Sequence, residues 1–368
     1  MSAIHVRSVL LTRGGHLKEW VLNLELYFPL AKIKYQRSTP GLLILPYIEY
    51  LAKPMNSFLP ISIYIMLVVS SSLAAQTARE QTKFEWINKD TKNATEAQHH
   101  TLYSDANDAE VGFYIYLPEH YEHNPKSRYP VIYSLHGGGG DESRNLRRIE
   151  GLKKAIQNKL IPPTIMVLPN GAKGSGYQDS FDGSLMIKTM IIKELIPHID
   201  QKFRTIPESR ARAIQGFSMG GAGATQLGFL HPNMFSSITN FASGGILKVD
   251  FDPTSEEARK TIPYFGNKYK MMGNDPQYWK DNLGYSIVEK NHELIRRNLG
   301  IRIVFGKKDK GLEGAQNLSR FLVSLNIEHD FILHEGGHSW GEEVHALDSY
   351  AFHNRHFTLS ADELKLLK

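Results

Sequence analysis

The stretch from Ala211 to His231, ARAIQGFSMGGAGATQLGFLH, restricts the fold more than any other part of the chain. Ala211 to Gln215 reads as a strand, and the small residues beyond Gly221 read as a helix ending near His231-Pro232. Between them, Gly216-Phe217-Ser218-Met219-Gly220-Gly221 must turn the chain from strand to helix with little side-chain bulk. Larger residues at the glycines would clash with adjacent strands. A serine at the apex of such a turn has its hydroxyl lifted clear of the sheet, with the positive end of the following helix aimed at it.

The rest of the chain supplies a sheet for that turn. Val111, Phe113, Ile115 and Leu117 alternate with Gly112, Tyr114 and Tyr116, the period of a strand. Val131 to Leu135, Ile165 to Leu168, Ser236 to Phe241, Ile301 to Phe305 and Asp330 to Leu333 are short runs suited to strands, several of them apolar enough for a buried position. Ile187, Ile191, Leu195, Ile199 and Phe203 recur at helical spacing, with a kink expected at Pro197. Leu312 to Leu325 reads as an amphipathic helix, and residues 245–290 as an irregular insertion near a binding face. The alternation predicts an α/β fold: a mostly parallel central sheet with helices on both faces. Ligands in such sheets bind beyond the carboxyl ends of the strands.

Those strand ends carry the polar residues. A serine hydroxyl needs a base to take its proton, and acid and base follow such a serine in the order Ser, Asp/Glu, His. Ser218 is the candidate nucleophile, His338 the base and Asp309 the orienting acid, chosen over Asp250, Asp252, Asp275, Asp281 and Glu313 because it directly follows a strand. His136-Gly137-Gly138-Gly139-Gly140 follows another strand, and its glycines let backbone N–H groups approach a developing oxyanion. The N–H groups of Met219 and Gly138 are the expected oxyanion donors.

His334 to Trp340, HEGGHSW, also fits the H-E-x-x-H zinc pattern. That reading needs a helix turn holding His334 and His338 on one face. Gly336 and Gly337 would each cost such a turn about 1 kcal/mol relative to Ala, and the preceding residues are strand-like. No third ligand stands out, since His353 and His356 read as surface residues. No metal and no cofactor is expected.

The chain has no cysteine, which excludes disulfides, thiolate metal sites and a Cys nucleophile. Four of its five net positive charges fall in residues 1–54, so the body lacks the basic footprint of a nucleic-acid binder. Met55 opens MNSFLPISIYIMLVVSSSLAAQ, an apolar run followed by small residues, with Ser72-Leu73-Ala74 matching a cleavage pattern. Residues 55–75 therefore read as a signal peptide, or as a membrane anchor if 58–75 is retained. Residues 1–54 carry no motif and are read as lying upstream of a true start at Met55. Residues 76–368 read as one catalytic domain, exported to the periplasm or secreted. The oligomeric state leaves no trace in the sequence.

With Gly216–Gly221, His136–Gly140, Asp309 and Gly336–His338 identified, the chain resembles the esterase D / putative esterase family of α/β-hydrolases. YLPEHY, YPVIYSLHGGGGDES, ELIPHID, GFSMGG and NIEHDFILHEGGHSW carry the resemblance, which runs from about Tyr114 to the C-terminus. It looks most like the carbohydrate esterase family 1 branch of feruloyl and acetylxylan esterases. The resemblance implies an α/β-hydrolase fold, Ser218, Asp309 and His338 in the roles given above, and cofactor-free ester cleavage through an acyl-enzyme. Feruloyl or acetyl groups on carbohydrate are the implied substrates. Tyr177, Asp179 and Trp340 are the expected acyl- or sugar-facing residues. The alternatives are an S-formylglutathione hydrolase-like thioesterase, an acyltransferase on the same triad, or a noncatalytic carbohydrate-binding relative.

Overall fold

The computed structural model describes residues 4–11, 17–24, 46–47, 86–88, 96–248, 251–262 and 265–367. The chain divides into two compact units, Met1–Lys83 and Phe84–Lys368. In the first, β1 (Ile4–Leu11), β2 (Leu17–Leu24) and β3 (Pro46–Tyr47) form an antiparallel sheet in the order β2-β1-β3, within a segment to which sequence patterns assign no element. The expected signal peptide or anchor at 55–75 lies outside the described residues.

The second unit is built on an eight-stranded sheet. Its strands are β4 (Gln98–Ser104), β5 (Ala109–Tyr116), β6 (Val131–Leu135), β7 (Ile165–Pro169), β8 (Arg212–Phe217), β9 (Ser237–Phe241), β10 (Gly300–Gly306) and β11 (Asp330–His334). They lie in the order β11-β10-β9-β8-β6-β7-β5-β4. All pairings from β7 to β11 are parallel, and β5 and β4 join antiparallel at one edge. Every residue of β6, β7, β9 and β10 is buried, as strands covered on both faces require.

The period-2 pattern of β5 suggests one wet face, but residues 111–116 are buried on both. Phe113 and Ile115 join one core. Tyr114 and Tyr116 join another, with Ile132, Met166 and Leu168 from the sheet, Ile149 and Leu152 of α1 (Arg147–Gln157) and Tyr350. Burying an aliphatic side chain such as Ile132 or Leu152 contributes roughly 1.5–3 kcal/mol, so this second helical layer outweighs the polarity of the tyrosines.

The helical run 187–202, called α2, buries Ile187, Ile191, Leu195 and Ile199 as its spacing predicts. Pro197 is accommodated differently from a plain kink. Met190–Leu195 is a π-helix, in which the Ile196 N–H reaches back to Ile191 O, and Pro197 falls in the first turn of the α-helical segment Ile196–Lys202. Because the run is continuous, the proline removes one hydrogen bond to the preceding turn, and the wider π turn just before it accommodates that loss.

α3 (Met219–Leu230) follows β8 and packs on β8 and β9. Residues 245–290, expected to be irregular, are largely helical. They form α4 (Glu256–Thr261), α5 (Phe265–Met272), α6 (Pro276–Leu283) and the start of α7 (Ser286–Asn298). The start signals are local: Ser255 Oγ accepts the Ala258 N–H at 3.1 Å, and Asp275 Oδ1 accepts the Gln277 N–H at 2.8 Å ahead of Pro276. α8 (Leu312–Ser324), α9 (Glu343–His356) and α10 (Ala361–Leu366) complete the unit. Among the described residues, no helix is long and apolar enough to cross a membrane.

Candidate active site

Ser218 sits between β8 and α3 with φ 55° and ψ −116°, a conformation costing a non-glycine residue of order 1–3 kcal/mol. The surroundings enforce it. The Ser218 N–H donates to Phe241 O at 2.8 Å, which ties the turn to the end of β9. A Cβ at Gly216 would stand 2.2 Å from Gly220 O, and one at Gly220 would stand 2.2 Å from Leu135 O on β6. The glycines of the motif therefore record how closely the turn approaches its neighbours.

His338 comes from the loop after β11. Its Nε2 lies 2.9 Å from Ser218 Oγ, and its Nδ1 lies 2.7 Å from Asp309 Oδ2. An ionised carboxylate only accepts, so Nδ1 carries the proton and Nε2 presents a lone pair to the serine hydroxyl. Asp309 Oδ1 accepts the Gly311 N–H at 2.8 Å, which fixes the carboxylate. The acid is sheltered, with its side chain 6% exposed, whereas the imidazole is 44% exposed. β10 and β11 present these residues together because their ends are zipped: the Lys307 N–H donates to His334 O and the Lys308 N–H to Gly336 O. A Cβ at Gly306 would stand 2.2 Å from Gly337 O, so the close pass of the histidine loop needs glycine at the end of β10.

The glycine loop after β6 lies against the serine turn. A methyl group at Gly137 would stand 3.8 Å from Ser218 Cβ, and one at Gly138 would stand 3.8 Å from Met219 Cβ. The structure thus brings Gly138 beside Met219, the first residue of α3. At that position a helix N–H has no intrahelical acceptor, and the helix dipole is positive. His136 is buried and spans the loop. Burial lowers its pKa, so it is neutral, with Nδ1 donating to Gly137 O at 2.8 Å and Nε2 accepting the Gly171 N–H at 2.9 Å.

The structure places Tyr177, Asp179 and Trp340, the expected acyl- or sugar-facing residues, in buried positions with partners of their own. Tyr177 is fully buried, donates its hydroxyl to His136 O at 3.1 Å and packs over Gly171 and Gly223. Asp179 is buried and accepts the Thr189 N–H and Oγ1–H at 2.9 and 2.8 Å, holding the start of α2. Trp340 is buried, stacked on Phe217 at 5.5 Å, with the Arg148 guanidinium 4.6 Å above its ring. Phe217 in turn lies 4.9 Å from the His338 ring. The serine and histidine turns therefore share an aromatic wall that no sequence spacing reveals.

His334 is buried, and its Nδ1 accepts the Gly336 N–H at 3.0 Å. The loop after β11 forms no helix, so the one-face arrangement of H-E-x-x-H does not arise. His353, expected at the surface, is fully buried within the sheet–helix core.

A model of the family described as Putative esterase matches residues 104–348. An esterase of Mycobacterium tuberculosis is 34% identical over 143 residues, which are 38% of this chain and 30% of that protein. The endo-1,4-beta-xylanase/feruloyl esterase of Xylanibacter ruminicola is 33% identical over 132 residues, 33% of this chain and 18% of the relative. The chain thus spans less than a third of the length of these curated relatives. Among solved structures, a ferulic acid esterase superposes with TM-score 0.60 at 23% identity, covering 71% of this chain and 98% of its own. An S-formylglutathione hydrolase from Agrobacterium tumefaciens gives TM-score 0.57 at 22% identity, covering 71% and 95%. These two likenesses show the fold.

Proposed function

The chain belongs to the esterase family and has the α/β-hydrolase fold, and from that premise we propose that it is a serine esterase of the acyl-enzyme type. The observation that carries the reading is the hydrogen-bonded row Ser218 Oγ, His338 Nε2, His338 Nδ1, Asp309 Oδ2, with contacts of 2.9 and 2.7 Å.

In this reading Ser218 Oγ attacks the ester carbonyl carbon as His338 Nε2 takes its proton. Asp309 holds the imidazole in the required tautomer and stabilises the imidazolium. The carbonyl oxygen becomes an oxyanion that the Met219 and Gly138 N–H groups receive, a contribution of about 10²–10³ in rate per donor in comparable sites. Collapse of the tetrahedral intermediate breaks the bond to the alcohol oxygen, which leaves with the proton from His338. Water then repeats the sequence on the acyl-enzyme, with His338 again as base, releasing the acid and restoring Ser218.

Acyl groups on carbohydrate, feruloyl or acetyl, are the proposed substrates. The feruloyl esterase name of the Xylanibacter relative supports this, and so does proposed export through the apolar segment 58–75. Replacement of Ser218 by Ala tests the chemistry: p-nitrophenyl acetate turnover should fall by about 10⁴-fold or more, and a loss smaller than about tenfold rejects the assignment. A panel of methyl ferulate, acetylated xylan and S-formylglutathione tests the substrate class. Preference for the thioester would reject the carbohydrate reading while leaving the triad in place.

A further inference from the structure

We propose that Glu142 is a positioning residue that sets the direction of the Gly138 N–H, a role that rests on the acyl-enzyme reading given above. Glu142 follows the glycine loop and is 1% exposed, yet it takes no part in the Ser218–His338–Asp309 row. Its Oε1 accepts the Asn88 N–H at 2.6 Å and lies 3.0 Å from His99 Nε2, while its Oε2 accepts from Asn170 Nδ2 at 2.8 Å. These partners come from the segment preceding β4, from β4 itself, and from the end of β7. β5 leaves room for the carboxylate at Gly112, where a Cβ would stand 2.3 Å from Oε1. A buried carboxylate disfavours folding unless fully hydrogen-bonded, so its placement here calls for a reason beyond packing.

The reason lies in what Asn170 does next. Its Oδ1 accepts the Ala172 N–H at 2.9 Å, fixing the turn in which the Gly171 N–H donates to His136 Nε2. The other ring nitrogen of His136 donates to Gly137 O, which also accepts the Gly140 N–H at 2.9 Å. A trans peptide is planar, with C=O and N–H pointing opposite ways. Fixing the Gly137 carbonyl therefore fixes the Gly138 N–H that the mechanism assigns to the oxyanion. The same turn acts on the next peptide, since the Gly174 N–H donates to Gly138 O at 3.0 Å. Glycine residues alone would leave both planes free to rotate. The carboxylate at 142 anchors the far end of this relay.

The test is Glu142→Gln, which keeps the volume but turns one acceptor into a donor facing another donor. The expected result is a fall in kcat/KM of about tenfold or more, matched by an equal loss of affinity for an arylboronic acid, whose tetrahedral adduct needs the same oxyanion donors. Circular dichroism and thermal melting establish that the variant is folded. Titration with a fluorophosphonate separates the two readings. If the wild type is not labelled at Ser218, the nucleophile assignment and this inference fall together. If both proteins are labelled there and E142Q keeps wild-type kcat/KM and boronate affinity, only the role of Glu142 is overturned. A loss of kcat/KM with unchanged boronate affinity overturns it equally. Should E142Q not fold, His99→Ala carries the test, because it removes one donor from the half-buried edge of the site. Both quantities should then drop by about threefold, the value of a single hydrogen bond, and unchanged values overturn the proposal.

Discussion

Among the imidazoles that touch a serine hydroxyl in the described residues, His338 and His353 make the instructive pair. At the carboxyl edge of the sheet, His338 Nε2 lies 2.9 Å from Ser218 Oγ. Beneath α9, His353 Nδ1 lies 2.8 Å from Ser237 Oγ, with Thr239 Oγ1 3.3 Å from its other nitrogen. The contact alone therefore does not define a catalytic pair. What differs is the third partner and the medium. His338 has a carboxylate behind it and is 44% exposed. His353 has only hydroxyls and no access to solvent, and burial drives its pKa down to about 3. The backbone differs too. Ser218 is held at φ 55° on a turn that faces outward, while Ser237 lies within a strand buried along its whole length. An imidazole that must accept a proton in the transition state needs a negative partner to stabilise the cation. One that only fills polar space in a core must stay neutral.

The sharpest way to break this comparison is to replace each histidine by glutamine. His338→Gln should lower kcat by about 10⁴-fold or more, because a serine without its base is a poor nucleophile. His353→Gln should leave p-nitrophenyl acetate turnover near pH 8 within a few-fold of wild type. Equal losses from both variants would erase the distinction. Asp309→Asn comes next. It preserves shape but removes the charge and offers Nδ1 an amide that can donate, so the imidazole loses its tautomeric bias. A fall in kcat of about 10³–10⁴-fold is expected, with no change in melting temperature beyond a few degrees. A loss under about tenfold would show that the carboxylate is not the feature separating the two regions.

The proposed catalytic edge is legible because its constraints are local. The glycines of GFSMGG and HGGGG, and Asp309 directly behind an apolar strand, each state their geometry within a few residues. β6, β7 and β10 are legible for the same reason, since strands covered on both faces need nearly continuous apolar runs. Interactions between distant segments were not visible. β4 is an edge strand whose Gln98, His99 and His100 read as polar linker. α1 carries RRIEGLKKAIQ, whose few apolar residues meet the second core only once Tyr350 and the far side of β5 are in place. The resemblance implies acyl- or sugar-facing roles for Tyr177, Asp179 and Trp340 but says nothing of their packing. Tertiary contacts with His136, Thr189 and Phe217 bury all three. Glu142 has no local signal of its burial, because its three donors come from three separate segments.

The smallest effect is also the most direct measure of the buried region. His353 is neutral in the folded protein down to about pH 3 because burial penalises its charged form, whereas in the unfolded chain it titrates near 6.5. Above pH 6.5 neither state binds this proton, and the fold keeps its full stability. Between about 6.5 and 3 the unfolded chain takes up a proton that the folded chain refuses. Stability is therefore lost as pH falls, by about 1.4 kcal/mol per pH unit once well below 6.5. Burial lowers His100, His136, His198, His231 and His356 as well, so the wild-type slope is a sum over several groups. His353→Gln should flatten that slope by one proton's worth. In urea unfolding at pH 6.5 and 5, the wild type should lose about 1.5–2 kcal/mol more than the variant. A variant slope equal to that of the wild type would show that burial does not hold His353 neutral in the fold.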